Sequence, residues 1–378
     1  MKQSDEPFLL HWPDSRRRYT YNGSAAIHAA LLDRQLERGA CVLLPAYCCG
    51  AELGPFEQLA CEFRFYDIGT DFSISHDEIE RILNAQPDIR VMLLTHYLGF
   101  AQPEVEAIAA LCQARGVTLI EDCAHALFTE QAGRAVGQAG DYAIFSMRKS
   151  LPLTEGGALL SKHPLRSESR QPANGLSLLA WVSRLAWSFQ QGARASRRVG
   201  IRSVARYLSI AGWSIPAVLV KLMRRTGIVP AERWLTPDVE GAAAVPVYGY
   251  GISTFSQRLL KTADGKDIRQ RRRANHAHWL RLVDQMDGLR PVHRVLPEGA
   301  CPLYFLVSVA NPGEWVKRLA ADDIEAFNWW QHLSSRIDWA EFPVARQYKQ
   351  SLLALPLHQQ LDEVDIIRMA NSLSARKQ

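Results

Sequence analysis

The residues able to do chemistry fall in four short runs, and each run directly follows an apolar stretch: Pro45-Ala46-Tyr47, Thr95-His96-Tyr97, Glu121-Asp122-Cys123-Ala124-His125 and Ser146-Met147-Arg148-Lys149. Together they supply an aromatic ring, imidazoles, a carboxylate, a hydroxyl and a primary amine. Gathered in one cleft, these are the groups that pyridoxal 5'-phosphate chemistry needs. A lysine amine adds to the aldehyde, a carboxylate keeps the pyridine nitrogen protonated as an electron sink, and donors hold the phosphate. Asn22-Gly23-Ser24 precedes a helical stretch over Ala25–Leu36, where backbone N–H groups and the helix dipole favour an anion. Ser146 adds a hydroxyl. Arg148 cannot replace Lys149 as nucleophile, because its guanidinium stays protonated.

Convergence of those runs requires a sheet. Cys41–Pro45, Cys61–Tyr66, Val91–Thr95, Val117–Ile120 and Tyr142–Phe145 predict strands, and Gly50–Ala60, His76–Asn84 and Pro103–Arg115 have helical periodicity. Strands apolar on both faces and joined through helices predict a mainly parallel sheet covered on both sides, the α/β class. In such sheets ligands bind beyond the carboxyl ends of the strands, where the four runs fall. Gly157–Ser161 predicts a further strand, and its connection from Phe145 is too short for a parallel crossover, so it should run antiparallel and make the sheet mixed. Asp267–Met286 reads as a long charged helix joining two lobes. Cys301–Val309, Pro312–Ala321, Ile324–Trp330 and Asp362–Ser374 then make a smaller α+β C-terminal unit. The expected domains are a large lobe over 1–162 with part of 236–265, an insertion over 163–235, and a linker helix with a small domain over 266–378.

The composition, 378 residues with 47% apolar and 22% charged, excludes disordered and fibrous classes and suits about two domains. Seven cysteines without a C-x-x-C pair suggest neither a disulfide framework nor a zinc site, so no metal is expected. The N-terminus is polar, carries Arg16-Arg17-Arg18 and shows no apolar signal core, which makes the cytoplasm the expected location. The net charge of +5 is uneven: residues 163–235 carry twelve Lys/Arg against Glu168 and Glu232. The basicity belongs to one stretch, which argues against a nucleic-acid-coating protein. That stretch also holds four of the ten tryptophans, and its uncharged run Tyr207–Val220, interrupted by Pro216, is too short to span a bilayer. It reads as an amphipathic surface contacting anionic lipid at the inner face of the membrane, as a basic lid for a diphosphate-bearing substrate, or as a subunit-packing insertion.

The runs NGSAAIHAALL (22–32), VLLPAYCC (42–49), IEDCAHAL (120–127), DYAIFSMRKSLPLTEGGALLS (141–161), CPLYFLV (301–307) and LPLHQQL (355–361) resemble the sugar aminotransferases of the DegT/DnrJ/EryC1/StrS family. The resemblance covers most of 20–161 and 245–374 and leaves out 163–240. It implies pyridoxal phosphate fold type I, an aspartate-aminotransferase-like fold with a seven-stranded-type sheet. It also implies Lys149 as the Schiff-base lysine ahead of Glu155-Gly156-Gly157, and Asp122 as the pyridinium partner. Ser146 and Gly23-Ser24-Ala25 match the family's phosphate contacts, and His125 falls where the family usually has a Gln near the cofactor's phenolic oxygen. Three departures stand out. Ser146 to Lys149 is three residues where the family commonly has five. Cys49 takes the place of the ring-stacking aromatic, leaving Tyr47 or His96 as candidate stackers. Gly251 in Gly249-Tyr250-Gly251 replaces an asparagine presented from the partner subunit.

The activity implied is transfer of an amino group from an amino acid such as glutamate to a nucleotide-linked keto sugar, in polysaccharide, lipopolysaccharide or secondary-metabolite biosynthesis, by a homodimer. Alternatives are a dehydratase or another pyridoxal phosphate enzyme of the same fold, and a non-catalytic membrane-associated binding protein. Taken singly, His96, His125 and Tyr47 read equally well as packed core residues. Cys48-Cys49 reads as core, with thiol chemistry as the alternative, and Trp329-Trp330 as core or interface, with a substrate wall as the alternative.

Overall fold

The computed structural model describes residues 7–153, 155–166 and 247–374. The strands of the first lobe are β1 (Arg17–Thr20), β2 (Cys41–Pro45), β3 (Glu62–Tyr66), β4 (Ile89–Thr95), β5 (Thr118–Asp122), the short hairpin β6 (Glu130–Gln131) and β7 (Arg134–Ala135), β8 (Tyr142–Ser146) and β9 (Gly157–Ser161). Seven of them form one sheet in the order β1-β9-β8-β5-β4-β2-β3. Its β3, β2, β4, β5 and β8 are parallel neighbours. As expected, β9 runs antiparallel to β8.

The sheet is parallel because both of its faces are covered. Strand residues alternate sides. Leu43, Met92, Leu94 and Leu119 pack with Ile79 and Ile82 of α3 (His76–Ala85) and Ile108 of α4 (Val105–Ala114). Val42, Leu44, Val91, Leu93 and Ile120 pack with Ala26, Ile27, Ala30 and Leu31 of α1 (Gly23–Asp33). Helix α2 is shorter than its periodicity suggested, Leu53–Gln58. Strand β1 was not expected, because its RRYT sequence reads as polar. Arg17 pays no isolated-charge penalty there: its guanidinium donates to the Leu9 and Leu10 carbonyls and pairs with Asp14.

Past the described break, α5 (Thr254–Leu260) leads to the long charged helix α6 (Gly265–Val283), which starts where Asp264 accepts from Asp267 N–H at 2.9 Å. The small lobe is an antiparallel sheet in the order β10 (Arg290–Pro291), β11 (Phe305–Ser308), β13 (Leu352–Leu355), β12 (Phe327–Asn328). It packs with α7 (Pro312–Ala321) and α9 (Glu363–Ser374) around Trp279, Phe305, Val307, Leu319, Leu353, Leu355 and Ile366. Helix α8 (Pro343–Ser351) and strand β13 were not foreseen, since a four-residue apolar run has no usable period.

The lobes are tied together beside the carboxyl ends of the strands. Cys301 N–H donates to Gly99 O at 3.2 Å and Leu303 N–H to Leu98 O at 2.8 Å. Asp67 accepts from the first N–H groups of α8, Val344 at 3.2 Å and Ala345 at 3.0 Å. No helix among the described residues is long and apolar enough to cross a membrane. From residue 167 on, the basic insertion expected over 163–235 lies outside the described residues.

Candidate active site

Strand β5 ends in two carboxylates that the pleat sends to opposite faces. Glu121 turns toward the 137–140 loop, where it accepts from Gly137, Ala139 and Gly140 N–H at 3.1, 2.7 and 2.6 Å and pairs with His96 Nε2 at 2.9 Å. These contacts hold its carboxyl below the ordinary value against the burial that raises it. Asp122 emerges on the other face and accepts from Ala124 N–H at 2.9 Å. Burial, with the Glu52 charge adding to it, pushes its carboxyl up to about 6, and the nearby Lys149 charge opposes the rise.

Lys149 ends a single 3-10 turn, Met147–Lys149, that directly follows β8. The short spacing from Ser146 therefore produces a tight turn in which Nζ lies 2.8 Å from His125 Nε2. His125 is buried, and desolvation together with the Lys149 charge holds its ring neutral, well below the usual imidazole range. Leu98 N–H donates to His125 Nδ1 at 3.3 Å. The loop behind the lysine is pinned at Ser150, whose carbonyl accepts from Gln359 Nε2 at 3.1 Å and Arg272 Nη2 at 3.4 Å. Gln359 lies in the LPLHQQL run. Glu155 anchors the 253–256 segment by accepting from Ser253 Oγ at 2.6 Å and Ser256 Oγ at 2.7 Å.

The amino end of α1 meets the end of β8. A Cβ on Gly23 would lie 3.5 Å from Ser146 Cβ and 4.0 Å from its Oγ, so the hydroxyl stands beside the first helical turn. Asn22 Oδ1 accepts from Ala25 N–H at 2.8 Å. The expectation of an anion contact from Ala25 is corrected by that cap, which takes its backbone donor. Gly23 and Ser24 remain as first-turn N–H groups without an intrahelical acceptor, while Ser24 Oγ donates to Ala51 O at 3.0 Å. An amine, a buried acid and a hydroxyl beside a helix N-terminus could hold a flat phosphorylated cofactor.

Tyr47 and His96 were the candidates to stack on a cofactor ring, and the structure uses both differently. Tyr47 is wholly buried, with its ring 5.3 Å from Trp330 and 5.4 Å from Phe72. His96 is equally buried, and besides Glu121 it accepts from Gln102 N–H at 3.0 Å. His96, Glu121 and Cys123 bring potential metal-ligand atoms within 4.8 Å of one another. Backbone donors already occupy the carboxylate and one imidazole nitrogen, so His96 and Glu121 form a hydrogen-bonded brace.

Two residues escaped the sequence reading. Glu52, buried at the start of α2, accepts from the Cys49 thiol at 3.0 Å; burial first and then this carboxylate push the thiol up, while the Lys149 charge opposes them. Lys349, buried in α8, donates to Cys48 O at 2.7 Å and Trp330 O at 2.9 Å, tying the small lobe to the end of β2. Glutamate and lysine at helical positions read as solvated, and no local signal distinguishes these two.

Residues 19–171 match the model of the DegT/DnrJ/EryC1/StrS aminotransferase family. GDP-perosamine synthase of Vibrio cholerae is 29% identical over 143 residues, 37% of this chain and 38% of that protein. Protein MosB of Rhizobium meliloti is 33% identical over 149 residues, 38% of this chain and 28% of that protein. The chain thus matches well under half the length of these curated relatives. The aminotransferase TlmJ from Streptoalloteichus hindustanus superposes with a TM-score of 0.65 at 18% identity, covering 97% of this chain and 87% of that one. That likeness shows the fold, the mixed and mostly parallel sheet with its C-terminal lobe. The segment that carries Asp122, His125, Ser146 and Lys149 thus lies within the match to the DegT/DnrJ/EryC1/StrS aminotransferase family model, and the chain around it has the fold of a solved aminotransferase.

Proposed function

We propose that the chain is a pyridoxal-phosphate-dependent aminotransferase that moves the amino group of an amino acid, glutamate being the first to test, onto a nucleotide-linked keto sugar. The observation that carries the reading is the 2.8 Å contact between Lys149 Nζ and His125 Nε2, beside a buried Asp122 whose titration Lys149 influences. The cofactor fits the donor set, because a buried acid raised to about 6 is relieved by a protonated ring nitrogen. The hydroxyl over the α1 N-terminus suits a phosphate.

When bound, pyridoxal phosphate supplies a conjugated electron sink. Lys149 Nζ would hold it and would be the amine placed to take up or give a proton there. His125 Nε2, 2.8 Å from Nζ, would orient that amine. Asp122 would pair with the ring nitrogen and favour its protonated form, and Ser146 Oγ with the Gly23 and Ser24 N–H groups would hold the phosphate. The name of the relative GDP-perosamine synthase supports a nucleotide-linked sugar as acceptor. A homodimer, as in the family, is part of the proposal.

The test is transfer from L-glutamate over a panel of GDP-, UDP- and dTDP-linked keto sugars. Formation of 2-oxoglutarate in step with an amino sugar is expected for at least one acceptor. No transfer across the panel by protein that carries the cofactor contradicts the substrate class.

A further inference from the structure

We infer that Trp329 and Trp330 form the surface that receives the sugar ring of the amino acceptor; this rests on the aminotransferase reading and names residues that recognise its second substrate. The two indoles are stacked, with centroids 5.3 Å apart and planes at 18°. Both lie against the His125 ring, at 5.7 and 5.3 Å, and that ring touches Lys149 Nζ. The pair therefore packs on the histidine that touches the reacting amine.

Two features separate it from an ordinary core pair. Trp330 has φ +53°, a left-handed conformation rare for a bulky residue and common where a binding site imposes it. Its backbone is held there by Lys349 Nζ on Trp330 O at 2.9 Å, and by Trp329 N–H on Leu352 O at 3.0 Å. The second feature is a missing partner. Trp329 is only 8% exposed, yet its Nε1–H has no acceptor among the described residues. Buried donors are nearly always satisfied, and one left open on an indole that packs against His125 points to an acceptor supplied by a ligand.

A pyranose answers both features. Its C–H face packs flat on an indole, and its hydroxyl oxygens accept from Nε1–H. An amino-acid donor is charged at its reacting end and offers no flat apolar face. The structure thus assigns the indole pair to acceptor recognition, with Trp329 Nε1 as the polar contact and the Trp330 ring as the platform.

The two half-reactions separate this role from a structural one. Trp329→Phe keeps an aromatic ring and removes the donor, and Trp330→Leu keeps an apolar side chain and removes the platform. In holoenzyme that unfolds at the wild-type temperature, Trp329→Phe should raise the KM for the keto sugar about fivefold to tenfold, the effect of one lost hydrogen bond. The KM for L-glutamate should change less than twofold, and Trp330→Leu should show the same asymmetry. Equal effects on both substrates, or an unchanged acceptor KM in both variants, overturn the assignment while leaving the aminotransferase intact. A wild-type holoenzyme that transfers nothing defeats the aminotransferase reading itself, and this inference with it.

Discussion

Burial is the largest influence on Asp122, whose carboxyl is pushed up to about 6, with Glu52 adding to the rise and Lys149 opposing it. An unfolded aspartate titrates near 3.9, so the fold binds this proton more tightly than the unfolded chain does. The contribution to stability is present at low pH and falls as pH rises from about 4 to about 6. The loss amounts to about 3 kcal/mol once the group is ionised in both states. Urea unfolding of cofactor-free protein should therefore show a decline across that window that Asp122→Asn flattens; the same slope in both proteins contradicts the burial argument. Asp122, His125 and Lys149 were legible in the sequence because each follows an apolar strand within a few residues. Glu52 and Lys349 were not, since their inward turn depends on the Cys49 thiol and on the Cys48 and Trp330 carbonyls. Ala25 was misjudged for a related reason: Asn22 is a good N-cap, and a cap consumes a backbone donor that an anion could otherwise use.

The turn after β4 does for the elements what Asp122 does for the residues. Gly99 has φ +88°, and a Cβ there would overlap the Cys301 carbonyl at the seam where the small lobe crosses the strand ends. The same Gly99 carbonyl accepts from Thr129 Oγ at 2.7 Å and from Cys301 N–H at 3.2 Å. Gly99→Ala should destabilise the protein by at least about 2 kcal/mol in denaturant unfolding, through backbone strain and a forced separation of the lobes. A change below about 0.5 kcal/mol contradicts that picture. Strands such as Cys41–Pro45 and Gly157–Ser161 were readable to the residue, because apolar runs bounded by polar ones mark their own limits. Strand β1 was hidden by its arginines, whose partners come from residues 9, 10 and 14.

At the scale of the whole molecule, the two lobes are joined by contacts between distant parts of the chain: Tyr47 with Trp330, Lys349 with Cys48, and Asp67 with Ala345. No local pattern encodes such pairings, which explains why the sequence indicated a small C-terminal lobe and a cleft but left Trp329-Trp330 as core or interface. The family match ends at residue 171, whereas the fold likeness to TlmJ extends over 97% of the chain. The sequence match thus falls in the large lobe, and the small lobe is matched in fold alone. The most direct test is to load the protein with pyridoxal 5'-phosphate, reduce it with borohydride and map the modified peptide by mass spectrometry. The account predicts a visible absorbance that reduction abolishes, a single cofactor adduct on Lys149, and neither in Lys149→Ala. A colourless protein with no adduct, or an adduct on another lysine with Lys149 unmodified, would contradict it.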